Sequence, residues 1–258
     1  MVYREKVARM ERLADDVIRM VLHSPRLAGS ARPGQFLNIR CGDSYEAYLR
    51  RPISICDVHP QEETVDIVFQ VKGAGTERLA RLKPGDEADV MGPLGRPFTP
   101  VPPGGRAVVV GGGIGTFPLL YLLRSMPEVD RTALLGFRSR GQVVLEEEFA
   151  AVCSRMDIAT DDGTYGTPGF VTALLERHLE RERPDCVYVC GPTPMMRAVV
   201  ALCVGQDIPV QVSMEQRMGC GVGACLVCAC KKKAEEGFAY THVCKEGPVF
   251  DGREVLFD

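Results

Sequence analysis

The sequence has no tryptophan, which excludes nothing; three other shortages exclude more. No apolar run approaches the roughly 20 residues that a membrane-spanning helix needs. The opening stretch, MVYREKVARMERL, is charged and has no apolar core of the secretory-signal kind, so a cytoplasmic protein is expected. There is no excess of positive charge: 31 Lys and Arg face 34 Asp and Glu, a net −3. Binding to nucleic acid or to a membrane surface therefore has no support from charge. What remains is ordinary globular composition, 45% apolar and 25% charged over 258 residues, enough chain for one large domain or two medium ones. The eleven cysteines stand out. In a reducing compartment they are not a disulfide framework.

Three regions differ in pattern. Residues 1–101 hold short apolar stretches separated by Gly and Pro turns, among them 35–39, 52–55 and 64–70. The last of these alternates with period two, as a half-buried antiparallel strand does. An antiparallel β-barrel or sandwich is expected, with one helix at 76–82 capped by Thr76. A Pro-rich hinge at 99–105 follows. In residues 102–212 strands alternate with helices. Strands are read at 107–110, 133–137 and 186–190, and helices at 118–125, 169–179 and 194–203. That is a doubly wound parallel sheet. Residues 213–258 form a small C-terminal region holding a cysteine cluster.

In that cluster Cys220, Cys225 and Cys228 follow C-x4-C-x2-C, and Cys244 lies further on. This is the plant-type spacing for a [2Fe–2S] cluster. Each iron needs two thiolates; a tight loop delivers three sulfurs and the fourth arrives from elsewhere. Gly219, Gly221, Gly223 and Ala224 leave room for backbone amides to approach sulfur. The competing reading is structural zinc on Cys225 and Cys228, completed by Cys244 or Cys230. Cys230 is treated as a surplus thiol. Cys41, Cys56, Cys153, Cys186, Cys190 and Cys203 are scattered as small core residues are.

Three further segments carry phosphate or ring chemistry, or are plain turns. Gly111-Gly112-Gly113-Ile114-Gly115-Thr116 runs from strand to helix with Pro118 in the first helical turn, where free amides can meet a pyrophosphate. The stretch Phe137-Arg138-Ser139-Arg140 is basic where an NAD-binding acid is usual, so NAD and NADP both stay open. Cys190-Gly191-Pro192 ends a later strand at the carboxyl edge of the sheet. In the β-rich half, Arg51-Pro52-Ile53-Ser54 offers a guanidinium and a hydroxyl, and Gly75-Thr76 offers a second anion site.

These motifs, in this order and joined to Glu215–Cys225 and Val243–Phe250, resemble the ferredoxin-reductase superfamily. Within it the chain is similar to the electron-transfer subunits of two-subunit, NAD-dependent dihydroorotate dehydrogenases. The resemblance implies that the barrel binds FAD through Arg51, Pro52, Ile53, Ser54, Val68, Phe69, Gln70, Gly75 and Thr76. The nicotinamide dinucleotide would meet Gly113, Gly115, Thr116, Cys190, Gly191 and Pro192, and Cys220, Cys225, Cys228 and Cys244 would ligate the [2Fe–2S] cluster. No side chain is expected to act as acid or base. The implied partner is an FMN-containing catalytic subunit, two of each in a heterotetramer, serving pyrimidine (UMP) synthesis. Two alternatives remain at this point: a subunit of a ferredoxin–NADP reductase or sulfide dehydrogenase complex, and a colourless zinc-bearing interaction module without redox activity.

Overall fold

The first ninety-odd residues wind into a closed antiparallel barrel in the computed structural model, which describes residues 2–42 and 47–257. Its strands are β1 (Val2–Ala14), β2 (Val17–His23), β3 (Phe36–Ile39), β4 (Arg51–His59), β5 (Thr64–Gln70) and β6 (Glu87–Leu94), in the order β1-β2-β5-β4-β3-β6. Two short helices decorate it, α1 (Pro25–Ser30) and α2 (Ala74–Leu79). Leu22, Leu37, Ile39, Ile55, Ile67 and Val90 fill the interior. Closure leaves the barrel no free edge to guard.

The helix expected at 76–82 begins earlier and ends sooner, and Thr76 is not its cap. Gly73 occupies that position. The Thr76 hydroxyl lies one turn in, where it accepts from the amides of Lys72 (2.9 Å) and Gly73 (3.3 Å). Those amides would otherwise be orphans of the first turn, so threonine serves the start from inside the helix. Past Leu79 the chain leaves the helix through turns ahead of Pro84, whose ring disfavours helical geometry in the residue before it.

Beyond the hinge the chain forms β7 (Arg106–Gly112), α3 (Phe117–Arg124), β8 (Asp130–Phe137), α4 (Glu146–Ala150), β9 (Arg155–Thr160), β10 (Thr167–Pro168), α5 (Val171–Leu179), β11 (Cys186–Cys190), α6 (Thr193–Gly205) and β12 (Val210–Ser213). The C-terminal segment adds β13 (Ala229–Lys233), β14 (Phe238–His242), β15 (Val249–Asp251) and β16 (Val255–Leu256). The central sheet runs β10-β9-β8-β7-β11-β12-β15, parallel except for β15. One face packs α3 and α4 with Leu119, Leu123 and Phe149, and the other packs α5 and α6 with Leu175, Val199 and Cys203. Helices on both faces explain why these strands read as continuous apolar runs. The cysteine-bearing segment donates β15 to this sheet and closes its remaining strands into the order β14-β13-β16. Among the described residues no helix is long and apolar enough to cross a membrane.

Ion pairs tie the barrel to α3 and α4. Arg124 of α3 meets Asp57 of β4 at 2.7 Å, and Arg19 of β2 pairs with Glu148 of α4. The Asp57 side chain is only 4% exposed. Burial lifts its carboxyl above the ordinary 3.8, and Arg124 opposes the lift. Arg124→Ala is expected to cost about 2 kcal/mol at neutral pH, short of a fully buried pair because the guanidinium is partly solvated. The folded carboxyl then titrates higher still, while the unfolded one keeps its ordinary value. The loss is therefore full above the variant's folded value and shrinks as pH falls from there to the wild type's, both above 3.8, below which both folded proteins carry a neutral carboxyl. Denaturant melts at pH 7 and pH 4 check this; equal losses at both would contradict it.

Candidate electron-transfer site

The backbone of the cysteine loop points at its own sulfurs. Val222, Ala224 and Cys225 donate N–H groups to Cys220 Sγ at 3.4, 3.3 and 3.4 Å. Cys220 donates back to Cys225 Sγ at 3.3 Å, Gly223 donates to Cys244 Sγ at 3.1 Å, and Cys244 donates to Cys228 Sγ at 3.4 Å. Gly221 and Gly223 at φ 75 and 80 supply the turns that aim these amides inward. Amide donors stabilise thiolate, and those on Cys220, led by Val222, bring its thiol down to about 6. Cys244 moves the other way, to about 12, through burial and the neighbouring Cys228 sulfur.

The contacts divide the four cysteines into two pairs, Cys220 with Cys225 and Cys228 with Cys244. Among the described residues no three His, Cys, Asp or Glu side chains gather as ligands of a single ion would. Two pairs of thiolates, ringed by N–H groups, suit a two-iron cluster with two sulfurs per iron. Cys230 is buried and takes no part in the amide network.

The cysteine loop lies against the barrel. Asn38 of β3, 1% exposed, reaches the Cys220 carbonyl with its amide nitrogen at 3.5 Å, and a Cβ on Gly221 would strike that nitrogen at 2.5 Å. Asn38 is also the register partner of Pro52 on β4, so the cysteine loop and the Arg51–Ser54 strand flank one residue. Sequence reasoning missed Asn38 because a lone polar residue in a short strand carries no pattern.

Arg51 lies over α2. A Cβ on Gly75 would meet the Arg51 guanidinium at 2.6–2.9 Å, so the charge rests on the first turn of the helix where amides are free. This cradle fits a phosphate and exists only because position 75 has no side chain. Pro52, Ile53 and Ser54 are half-buried along the same strand. Val68 packs into the interface with the α/β region, while Phe69 turns its ring into the barrel core and leaves only backbone for a ligand. Gln70 lines a cleft.

That cleft, about 730 Å³, opens between the barrel and the carboxyl ends of the parallel strands. β7 and β11 are neighbours there, with α3 and α6 leaving on opposite faces of the sheet, which makes this the topological switch point. Gly113, Gly191 and Pro192 reach the cleft. Gly115, Thr116 and Cys190 do not line it and are buried behind it: Gly115 lies on the Cys190 carbonyl, and the Thr116 hydroxyl donates to the Gly113 carbonyl at 2.8 Å.

Two further features escaped the sequence. An acid reaches the cleft from the neighbouring strand: Asp161, just past β9, donates its N–H to the Phe137 carbonyl at 3.0 Å and lines the cleft with Arg138. Phe170, 70% exposed, lines the same cleft. Glu215 enters from beyond β12. Its carboxylate faces open cleft space yet is ringed by protein, and this burial raises it, with Lys72 across the cleft opposing.

A β-barrel joined to a doubly wound sheet, a dinucleotide-type cleft at the switch point and a thiolate cage against the barrel define an oxidoreductase of ferredoxin-reductase architecture. Residues 109–201 match the oxidoreductase NAD-binding domain, and residues 215–256 match the iron–sulfur cluster binding domain of dihydroorotate dehydrogenase B. The dihydroorotate dehydrogenase B (NAD(+)) electron transfer subunit of Desulforamulus reducens is 39% identical, covering 100% of this chain and 99% of its own length. That of Bacillus caldolyticus is 41% identical, covering 99% and 100%. Among solved structures, an NADH-dependent reduced ferredoxin–NADP oxidoreductase aligns at TM-score 0.87 and 31% identity over 99% of this chain and 90% of its own. The ferredoxin reductase of a carbazole 1,9a-dioxygenase aligns at TM-score 0.66 and 18% identity over 82% and 68%, a likeness of fold. The chain belongs to the family of electron-transfer subunits of dihydroorotate dehydrogenase B (NAD(+)). It is thus an NAD-dependent iron–sulfur oxidoreductase subunit of pyrimidine synthesis that works with a catalytic partner subunit.

Proposed function

We propose that this subunit links NAD, an FAD held by the barrel, and a [2Fe–2S] cluster on Cys220, Cys225, Cys228 and Cys244 to the FMN of a dihydroorotate-oxidising partner. The assembly would hold two of each subunit and act in the cytoplasm. The observation that carries the reading is the ring of amides around two cysteine pairs, set against the Asn38–Pro52 pair of the barrel. When bound, FAD would supply the chemistry that joins a two-electron hydride carrier to a one-electron cluster.

The chain's own residues supply binding and orientation. Arg51 and the amides at Gly75 and Thr76 neutralise the FAD pyrophosphate. Pro52, Ile53, Ser54 and the backbone of Val68, Phe69 and Gln70 line the ring. Gly113, Gly191 and Pro192 bring the nicotinamide end of the dinucleotide to that ring, and Gly115, Thr116 and Cys190 hold their loops. Asp161 and Phe170 suit the adenosine end, an acid for ribose hydroxyls and an aromatic face for the purine. Cys225 is exposed, and Val222, Leu226 and Val227 around it are exposed apolar side chains, a surface suited to a docked redox partner.

Protein purified without oxygen should contain two irons and two acid-labile sulfides per chain, with flavin and cluster absorption that both bleach on adding NADH. A colourless protein carrying one zinc and no flavin would overturn the reading.

A further inference from the structure

Asp16 lies in the turn between β1 and β2, outside every motif. Its carboxylate accepts a hydrogen bond from Gln70 Nε2 at 2.5 Å, and its backbone carbonyl accepts from the Val71 amide at 2.7 Å. The next residue, Val17, is the register partner of Gln70. Carboxylate and carboxamide are thus held side by side by the ladder of β2 and β5. An ionised carboxylate can only accept, so the Gln70 amide must turn its NH2 toward Asp16. Its carbonyl oxygen then points away, and among the described residues no donor reaches it. Both residues line the cleft, with Lys72 and Glu215 near them.

We propose that Asp16 is a positioning residue: it sets the polarity of the Gln70 carboxamide so that the carbonyl faces the cleft as acceptor for an amide-type N–H of a bound ring. This rests on the flavin and nicotinamide reading above. Two ligands present that chemistry, the imide N–H of the flavin and the carboxamide of the nicotinamide. Without Asp16 the carboxamide is free to flip and offer a donor where an acceptor is needed. An acceptor fixed before binding costs the ligand no ordering.

The test uses flavin-loaded protein with three variants, Asp16→Ala, Asp16→Asn and Gln70→Leu, and the double variant Asp16→Ala with Gln70→Leu. The readouts are the visible flavin spectrum and midpoint potential, and the dissociation constant of NAD⁺ titrated onto oxidised protein. Asp16→Ala and Gln70→Leu should each weaken NAD⁺ binding by roughly five- to tenfold if the nicotinamide is the donor, or move the flavin bands and potential if the flavin is. Asp16→Asn keeps an acceptor and should lie nearer wild type. In the Gln70→Leu background, Asp16→Ala should add nothing, because Asp16 acts through Gln70. Gln70→Leu carries the test alone should Asp16→Ala not fold. The proposal is overturned if wild type bleaches with NADH yet neither single variant moves spectrum, potential or NAD⁺ affinity. It is equally overturned if Asp16→Ala keeps its full effect without Gln70. A wild type that holds no flavin would instead sink the reading beneath it.

Discussion

Cys225→Ser is expected to yield a yellow protein that NADH still reduces but that no longer delivers electrons to its partner. Cys225 is the exposed member of the Cys220 pair, so on the proposed ligation its loss would leave one iron with a single thiolate. Serine oxygen is a harder ligand and poorly suited to iron–sulfur chemistry. Changes outside a metal's own ligands already cost ten- to a hundredfold in affinity or activity, so loss of a ligand should lower partner reduction by at least about a hundredfold. Iron and sulfide should fall with it. On the proposed reading the flavin step uses the Arg51–Ser54 strand and the cleft, which do not include the cysteine loop, and NADH-driven flavin bleaching should stay within about twofold. Cys230→Ser is the control: that thiol is buried outside the amide network and burial pushes it up to about 11, so iron should be retained. Iron analysis and stopped-flow bleaching check both. A Cys225→Ser protein with full iron content, or a Cys230→Ser protein without iron, would assign the ligands differently.

The cysteine spacing and the α/β strands were legible because each is a local pattern: C-x4-C-x2-C shows in nine residues, and buried parallel strands show as Val-Val-Val runs. The observed strands β7, β8 and β11 contain every stretch read for them. β1 was not legible. It packs one side on the barrel and leaves most of its thirteen residues open to solvent, so Arg, Glu and Lys blur the alternation. Residues that matter through distant neighbours were hidden for another reason. Asn38 gains its meaning from Cys220, Asp16 from Gln70 and Asp161 from Phe137, and none of these pairs is close in sequence. The acid missing after β8 is the plainest case. Sequence order assigns it to one strand, but the sheet puts the next strand's loop in the same place, so a rule tied to a single βα turn looks in the wrong loop. In the same way Arg51 and Gly75 each read as an ordinary strand end and an ordinary cap; their contact makes an anion cradle.

Gly115→Ala should be the most damaging single methyl group in the nicotinamide half. A Cβ there would lie 2.5 Å from the carbonyl carbon and oxygen of Cys190 and from the Gly191 nitrogen. All three are backbone atoms at the end of a central strand, so no side chain can swing aside. Either the turn at 113–116 lifts off β11 or the Cys190–Pro192 loop moves, and the two loops meet at the switch point of the sheet. Overpacking against backbone costs about 3 kcal/mol, which for a chain of this size lowers the melting temperature by roughly 6–10 °C. NAD⁺ affinity should fall by at least about tenfold, since on the proposed reading the amides of this turn meet the dinucleotide. Gly113→Ala separates this crowding from simple backbone strain. Gly113 has no atom within 4 Å of its would-be Cβ but sits at φ 54, so it should lose only about 1 kcal/mol. Flavin and iron content should survive in both variants, because this turn packs chiefly on β7, β8 and α3, which hold neither the Arg51–Gly75 cradle nor the cysteine loop. Thermal melts and NAD⁺ titrations decide the matter. If Gly115→Ala melts with wild type while Gly113→Ala does not, the tight contact between the two glycine loops is not what holds the nicotinamide site together.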